Sequence, residues 1–224
     1  GLGDEYASAA ATNGSNVSTI SDPKAVPWAH WLKEPQLAAA LGLGVHPGGG
    51  GKFTPTAGRC VMNSGGDFCP MCREVFLMAL YSHIRPIDDG TPASVIEWSP
   101  KSKPEMEIWV QPMKPATHEL RVEWYLERVE EGRQVEPAGE SGRRTRMSAT
   151  TIPTAGARVK GRAGIRHSVR LADLNLKPGT YGLVVSVKDE PASVLRGIRV
   201  PWVLRDPRQV TEERRRWIVR VQNL

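Results

Sequence analysis

The chain of 224 residues carries 30 lysines and arginines against 24 aspartates and glutamates, a formal net charge of +6, and 40% of its residues are hydrophobic. That is an ordinary globular composition, with enough apolar content for one large or two small domains. No apolar run approaches the roughly 20 residues of a membrane-spanning helix. The basic excess lies in the C-terminal half without interleaved aromatics, so it reads as a solvated basic surface and not a nucleic-acid platform.

The first residue is Gly1, with no initiator methionine and no charged-then-apolar leader, which points to a processed, truncated or trimmed product. Gly1-Leu-Gly-Asp4-Glu5-Tyr6 then gives an acidic turn. Residues 1 to about 26 are poor in large apolar side chains and read as a surface loop. Asn13 and Asn16 each open a glycosylation sequon, a pattern that chance supplies often. Val26-Pro-Trp28-Ala-His30-Trp31-Leu32 is an aromatic cluster that suits a core or the lining of a substrate cleft. A helix-permissive stretch from Gln36 to Leu41 follows, and then a glycine run, Gly48 to Gly51, expected to form a loop.

All three cysteines fall between Arg59 and Glu74. An odd count fits one disulfide and one free thiol in an exported protein, secreted or on the cell surface. Proximity in sequence favours a structural bridge from Cys60 to either Cys69 or Cys72. Cys69-Pro-Met-Cys72 at a helix start also has the form of a thioredoxin-type dithiol, or of half a metal site. No second Cys-x-x-Cys accompanies it, and the βαβ surroundings of thioredoxin are absent.

From Asp67, a suitable N-cap, a helix is predicted over about 70–84, with Pro70 in its first turn. Val75, Phe76, Ala79, Leu80 and His83-Ile84 form its apolar face, and Pro86 stops it. Asp88-Asp89 before Gly90 reads as a turn and not as a catalytic carboxylate pair. The period then changes from helical to two. Met106 to Val110 alternates, as do Leu120-Val122-Trp124-Leu126, Tyr181-Leu183-Val185-Val187 and Trp217-Val219, with Lys177-Pro-Gly179 as a turn before the third set. Roughly seven strands are expected over 92–224. The polar stretch from about Glu130 to Arg166 is expected to be a long loop.

Leu2-Gly-Asp-Glu-Tyr6, Asn16-Val, Val26-Pro-Trp-Ala-His-Trp31, Cys60-Val-Met-Asn63, Phe68-Cys-Pro-Met-Cys-Arg-Glu74 and Arg85-Pro-Ile-Asp88, in that order, resemble the IgA-peptidase family of zinc metallopeptidases, which is metzincin-like. The likeness spans about residues 1–90. It implies that residues 1–91 form the lower part of a catalytic domain; with the alternating strands of residues 92–224, which argue for an immunoglobulin-like β-sandwich, the expected architecture is α+β. It also implies that Asp4, or alternatively Glu5, is the third zinc ligand and that Met62 is an apolar floor beneath the metal. The two histidines and the glutamate base of His-Glu-x-x-His, which activate a zinc-bound water in such enzymes, are missing here. None of the five histidines (30, 46, 83, 118 and 167) has a histidine partner four residues away.

The chain is therefore expected to be an inactive fragment of a secreted zinc endopeptidase. Its partners would be a protein or peptide substrate and the missing N-terminal part of its own catalytic domain. Two other classes compete: a non-enzymatic secreted module whose sandwich binds protein or glycan, and a thiol-disulfide protein using Cys69 and Cys72.

Overall fold

The computed structural model describes residues 13–62, 67–129, 150–152, 159–161, 164–195 and 197–222. It is α+β and rich in sheet, with three α-helices among the described residues. Two compact units divide the chain. One joins Gly1–Ile84 to Glu190–Val210, and the other joins Arg85–Asp189 to Thr211–Leu224. The boundary thus falls before 91, and a segment inside the expected sandwich, Glu190–Val210, belongs with the first unit. The reason is local. Val200, on the hairpin Ala192–Leu195/Ile198–Pro201, is buried in the first unit's core with Val26, Trp28, Trp31 and Met71.

The first unit is built from short pieces. Its sheet runs in the order Asn13–Gly14, Val17–Ser18, Phe53–Thr54 and His46–Pro47. Part of the expected N-terminal surface loop is therefore a hairpin, and Asn16, Val17 and Ser18 are fully buried. The Asn16 sequon is thereby closed to a glycan. The glycine run makes the tight return between His46–Pro47 and Phe53–Thr54. Gly50 and Gly51 there have φ of 65° and 72° with open space around them, so backbone conformation alone accounts for glycine.

The helices are α1 (Ala29–Leu32), α2 (Pro35–Leu41) and α3 (Pro70–Leu80). The last is shorter than predicted. After Leu80 the backbone tightens into i→i−3 bonds, Ser82 to Ala79 and His83 to Leu80, ahead of Pro86. Its N-cap is Cys69, not Asp67. The buried face is also rotated from the predicted one. Pro70, Met71, Cys72, Glu74 and Leu77 are buried, whereas Phe76 and Leu80 are exposed, Phe76 stacking on Phe68. Glu74 causes the discrepancy, since a carboxylate in the middle of the stripe reads as surface although its partners lie inside.

In the second unit two sheets share one apolar cluster. The five-stranded sheet has the order Val95–Trp98, Glu212–Val221, Gly179–Lys188, Arg121–Arg128, Thr150–Ile152. Val95–Trp98 runs parallel to its neighbour, and the other pairs are antiparallel. The four-stranded sheet has the order Val159–Gly161, Gly164–Arg170, Glu107–Pro112, Ile87–Gly90. The predicted alternations set the register: Leu183 pairs with Trp217 and Leu126, and Val185 with Trp124. Trp124 and Trp217 stack with centroids 5.8 Å apart.

Two expectations fail here. Strands at 150–152, 159–161 and 164–170 lie wholly or partly in the stretch expected to be a loop, the rest of which lies outside the described residues. Asp88 and Asp89 lie in a strand with a register shift between Ile87 and Asp89, where the Gly90 N–H bonds Asp89 Oδ1 at 2.7 Å. A Cβ on Gly90 would stand 2.8 Å from the Trp109 carbonyl, so close strand approach, not a turn, explains this glycine. The run Arg214–Arg216 is paired along the sheet with Glu212, Glu213 and Glu127. No helix among the described residues is long and apolar enough to cross a membrane.

Candidate metal centre

Cys60, Cys69 and Cys72 converge in the first unit. Cys60 follows a turn in which Ala57 and Gly58 have positive φ and Arg59 N–H returns to the Thr56 carbonyl. Beyond it, Val61 N–H bonds the Asp67 carbonyl at 2.8 Å, so the two ends of the 61–67 excursion are tied together. That closure brings Cys60 against the start of α3, where Cys69 is the N-cap and Cys72 stands in the first turn. The three sulfur atoms all lie within 4.8 Å of one another. They are 0%, 3% and 7% exposed respectively, sealed from solvent.

All three are free thiols. The expected bridge from Cys60 to Cys69 or Cys72 is therefore not formed. Cys60 and Cys72 sulfurs stand 3.7 Å apart, against about 2.05 Å for a bond. The backbone N–H of Cys69 donates to Cys60 Sγ at 3.3 Å, and Asn16 Nδ2 donates to Cys72 Sγ at 2.9 Å. The thiols divide electrostatically. A hydrogen bond from the Cys72 side chain holds Cys69 down at about 6, against burial, with help from the Cys72 and Met71 backbone N–H groups and Cys60. Cys72 is pushed up, first by serving as that donor and then by burial. One proton in this cluster is thus held weakly and another firmly.

The aromatic cluster forms the wall behind the thiols. Trp28 and Trp31 are fully buried, so in this structure they are core and offer no face to a substrate. Trp28 Nε1 donates to the Gly44 carbonyl at 2.8 Å and Trp31 Nε1 to Glu74 Oε2 at 3.0 Å. His30, whose side chain is 22% exposed, stands 2.7 Å from the same Glu74 oxygen. The other oxygen, Oε1, accepts the backbone N–H groups of Leu204 and Arg205 at 2.7 and 2.8 Å. Burial pushes the Glu74 carboxyl up, but hydrogen bonds from His30, Arg205 and Trp31 and the charge of His30 outweigh it, leaving the group below its ordinary value. Arg73, next in the helix, lies over the Trp202 ring at 5.2 Å.

Met62 is half-buried and packs against this core beside the cysteines. Asp4 and Glu5, the expected zinc ligands, lie outside the described residues, so their fit to a metal carries no structural observation. Among the described residues the cysteine trio is the one group of three or more histidine, cysteine or acidic side chains close enough to share an ion.

Sequence reasoning missed Asn16 and Glu74. Asn16 sits in a polar stretch with nothing to mark it as core. Glu74 could have been found from its spacing, three residues after Met71 and three before Leu77 on one helical face. No protein-family model, no curated protein and no solved structure matches this chain.

Proposed function

We propose that this chain is the lower part of the catalytic domain of a secreted zinc endopeptidase, followed by an immunoglobulin-like β-sandwich. The observation that carries this reading is the convergence of Cys60, Met62 and α3 on one buried wall, since these are the segments in which the family likeness is most specific. In the proposed arrangement Asp4 offers a carboxylate oxygen to the metal, with Glu5 the alternative. Met62 supplies the apolar surface beneath it, and α3, anchored by Glu74, holds that surface in place. Zinc, when bound, supplies a water of lowered pKa and polarises the scissile carbonyl. The two histidine ligands and the glutamate base come from preceding polypeptide, because a lone carboxylate does not hold zinc usefully. The two sheets of the second unit, which enclose an apolar cluster of their own, support the sandwich assignment.

The test is to express the chain together with the polypeptide encoded directly before Gly1 and assay cleavage of a fluorogenic protein substrate. Activity that a chelator removes and zinc restores is expected, and Asp4→Ala should lower it by at least about 100-fold, the loss of a ligand exceeding that of an outer-shell partner. Full activity in that variant sinks the ligand assignment. A preceding sequence without His-Glu-x-x-His, combined with specific protein or glycan capture by the full chain, favours the binding-module class instead.

A further inference from the structure

We propose that Cys60, Cys69 and Cys72 are the thiolate ligands of a second, structural metal site for a zinc-type divalent ion, with the Asn16 carboxamide on its fourth side. The site is separate from the peptidase reading and does not rest on it, since it uses only side chains of this chain.

Geometry comes first. With metal–sulfur distances of about 2.3 Å and tetrahedral angles, two thiolates on one zinc lie about 3.8 Å apart. Cys60 and Cys72 already stand at 3.7 Å, and no pair in the trio exceeds 4.8 Å. An ion would draw the sulfurs together by at most about 1 Å, given the same tetrahedral spacing. Three unlinked thiols packed in an apolar wall otherwise have little to do. One disulfide would use two and strand the third.

The surroundings suit negative sulfur. The Cys69 N–H already points at Cys60, and Asn16 Nδ2 at Cys72. The eleven-residue helix α3 begins at Pro70, so the positive end of its dipole faces the trio. Three thiolates and a divalent ion sum to −1, a charge that these donors offset.

Asn16 supplies the second, independent observation. It is 0% exposed, yet its Oδ1 has no hydrogen-bond partner among the described residues. A buried amide oxygen left unpaired is costly, so it is a natural donor for a bound cation. The same carboxamide bonds Cys72 through Nδ2 at 2.9 Å, which holds it beside the thiols, and its unpaired oxygen is the donor we assign to the ion's fourth side. Soft thiolates select zinc-like ions over magnesium or calcium. With every ligand sealed from solvent, the site has no open position and is structural, not catalytic. Binding exchanges protons for the ion: each cysteine still protonated releases one proton as its sulfur joins the metal.

The experiment uses the full 224-residue chain purified under reducing conditions. Metal content is measured, and the ion is then replaced by cobalt. One equivalent of zinc per chain is expected, with thiolate-to-cobalt charge-transfer absorption of an intensity suited to three sulfurs. In the native zinc form none of the three thiols should react with a disulfide reagent, and all three should react once a chelator is added. Cys69→Ser and Cys72→Ser should each lose most of the charge-transfer band. Asn16→Ala, which keeps every thiol, should weaken cobalt binding about 10–100-fold, as removal of a supporting partner does. If the cysteine variants misfold, the wild-type metal content, the cobalt spectrum and the Asn16 variant still decide the matter. A metal-free protein that gives no charge-transfer band when cobalt is added overturns the proposal. So does a mass two hydrogens short that marks a disulfide. Unchanged cobalt affinity in Asn16→Ala removes the fourth ligand and leaves a three-sulfur site.

Discussion

In the sheet unit, Tyr181, Leu183, Val185 and Val187 meet Val219, Trp217 and the Trp124 strand across continuous ladders, ten paired residues on one side and eight on the other. Among its described residues the first unit has no comparable ladder. Its longest described element is the eleven-residue α3, and its described strands are two residues long apart from the four-residue hairpin strands. It compensates with side chains. Glu74 alone gathers His30, Trp31, Leu204 and Arg205, and three cysteines share one pocket of the core. Regular backbone pairing lets one unit rest on hydrophobic area, whereas short elements make the other depend on a few buried polar contacts. Mutations should therefore act through different physics in the two halves.

The largest effect should come from Trp217→Ala. The side chain is fully buried against Trp124 and donates Nε1–H to the Pro92 carbonyl at 3.0 Å. Its truncation should destabilise the sheet unit by about 3–5 kcal/mol. Denaturant unfolding followed by hydrogen exchange should register the loss in strands 179–188 and 212–221 and spare α3. Equal loss in both units would mean that they unfold as one body and break the contrast. Metal removal is the mirror experiment. A chelator that empties the cysteine site should cost the first unit about 4 kcal/mol when free metal stood a thousandfold above its dissociation constant. Protection of α3 should fall while strands 179–188 keep theirs.

Glu74→Ala comes next. It strips partners from the Leu204 and Arg205 N–H groups and from Trp31, and should cost the first unit about 3 kcal/mol at neutral pH. The pH dependence fixes the cause. A carboxyl whose folded pKa lies below its ordinary 4.5 stabilises the fold above that value, and the contribution is lost as pH falls through the lower folded value. The gap between wild type and Glu74→Ala should therefore be widest above pH 4.5 and narrow in acid. A constant gap down to low pH would assign the loss to packing.

How far these features were legible follows from the same contrast. Period-two alternation marked Leu120–Leu126 and Tyr181–Val187, because a half-buried strand writes its burial into every second residue. The hairpin at Ala192–Leu195 and Ile198–Pro201 falls inside the stretch expected to be sandwich, and nothing local could say that Val200 is buried with Trp28 and Trp31 in the first unit. The cysteine cluster was readable as proximity in sequence, but not as three free thiols, because 3.7 Å and 2.05 Å look alike in spacing. Asn16 was opaque, and Glu74 legible only as a position on the buried helical face, for a related reason. Polar side chains are buried by partners far along the chain, 130 residues away for Glu74 and Leu204, and local pattern carries no trace of them.

The smallest effect expected is at Gly50, and it isolates backbone from packing. No atom would lie within 4 Å of an added Cβ, and φ is +65°. Gly50→Ala can lose only the left-handed penalty of about 1 kcal/mol, with no steric part. Gly90→Ala is its counterpart in the sheet unit. No left-handed φ marks that position, but the new Cβ would meet the Trp109 carbonyl at 2.8 Å and Val110 Cα at 3.1 Å, so the strands must part. Its cost should be larger, about 1–3 kcal/mol, and purely steric. Chemical denaturation of the two variants measures both, and Gly50→Asn supplies the control, because asparagine tolerates left-handed backbone and should recover part of the loss. A Gly50→Ala penalty as large as that of Gly90→Ala would mean that the turn at 49–51 is packed more tightly than its open surroundings indicate.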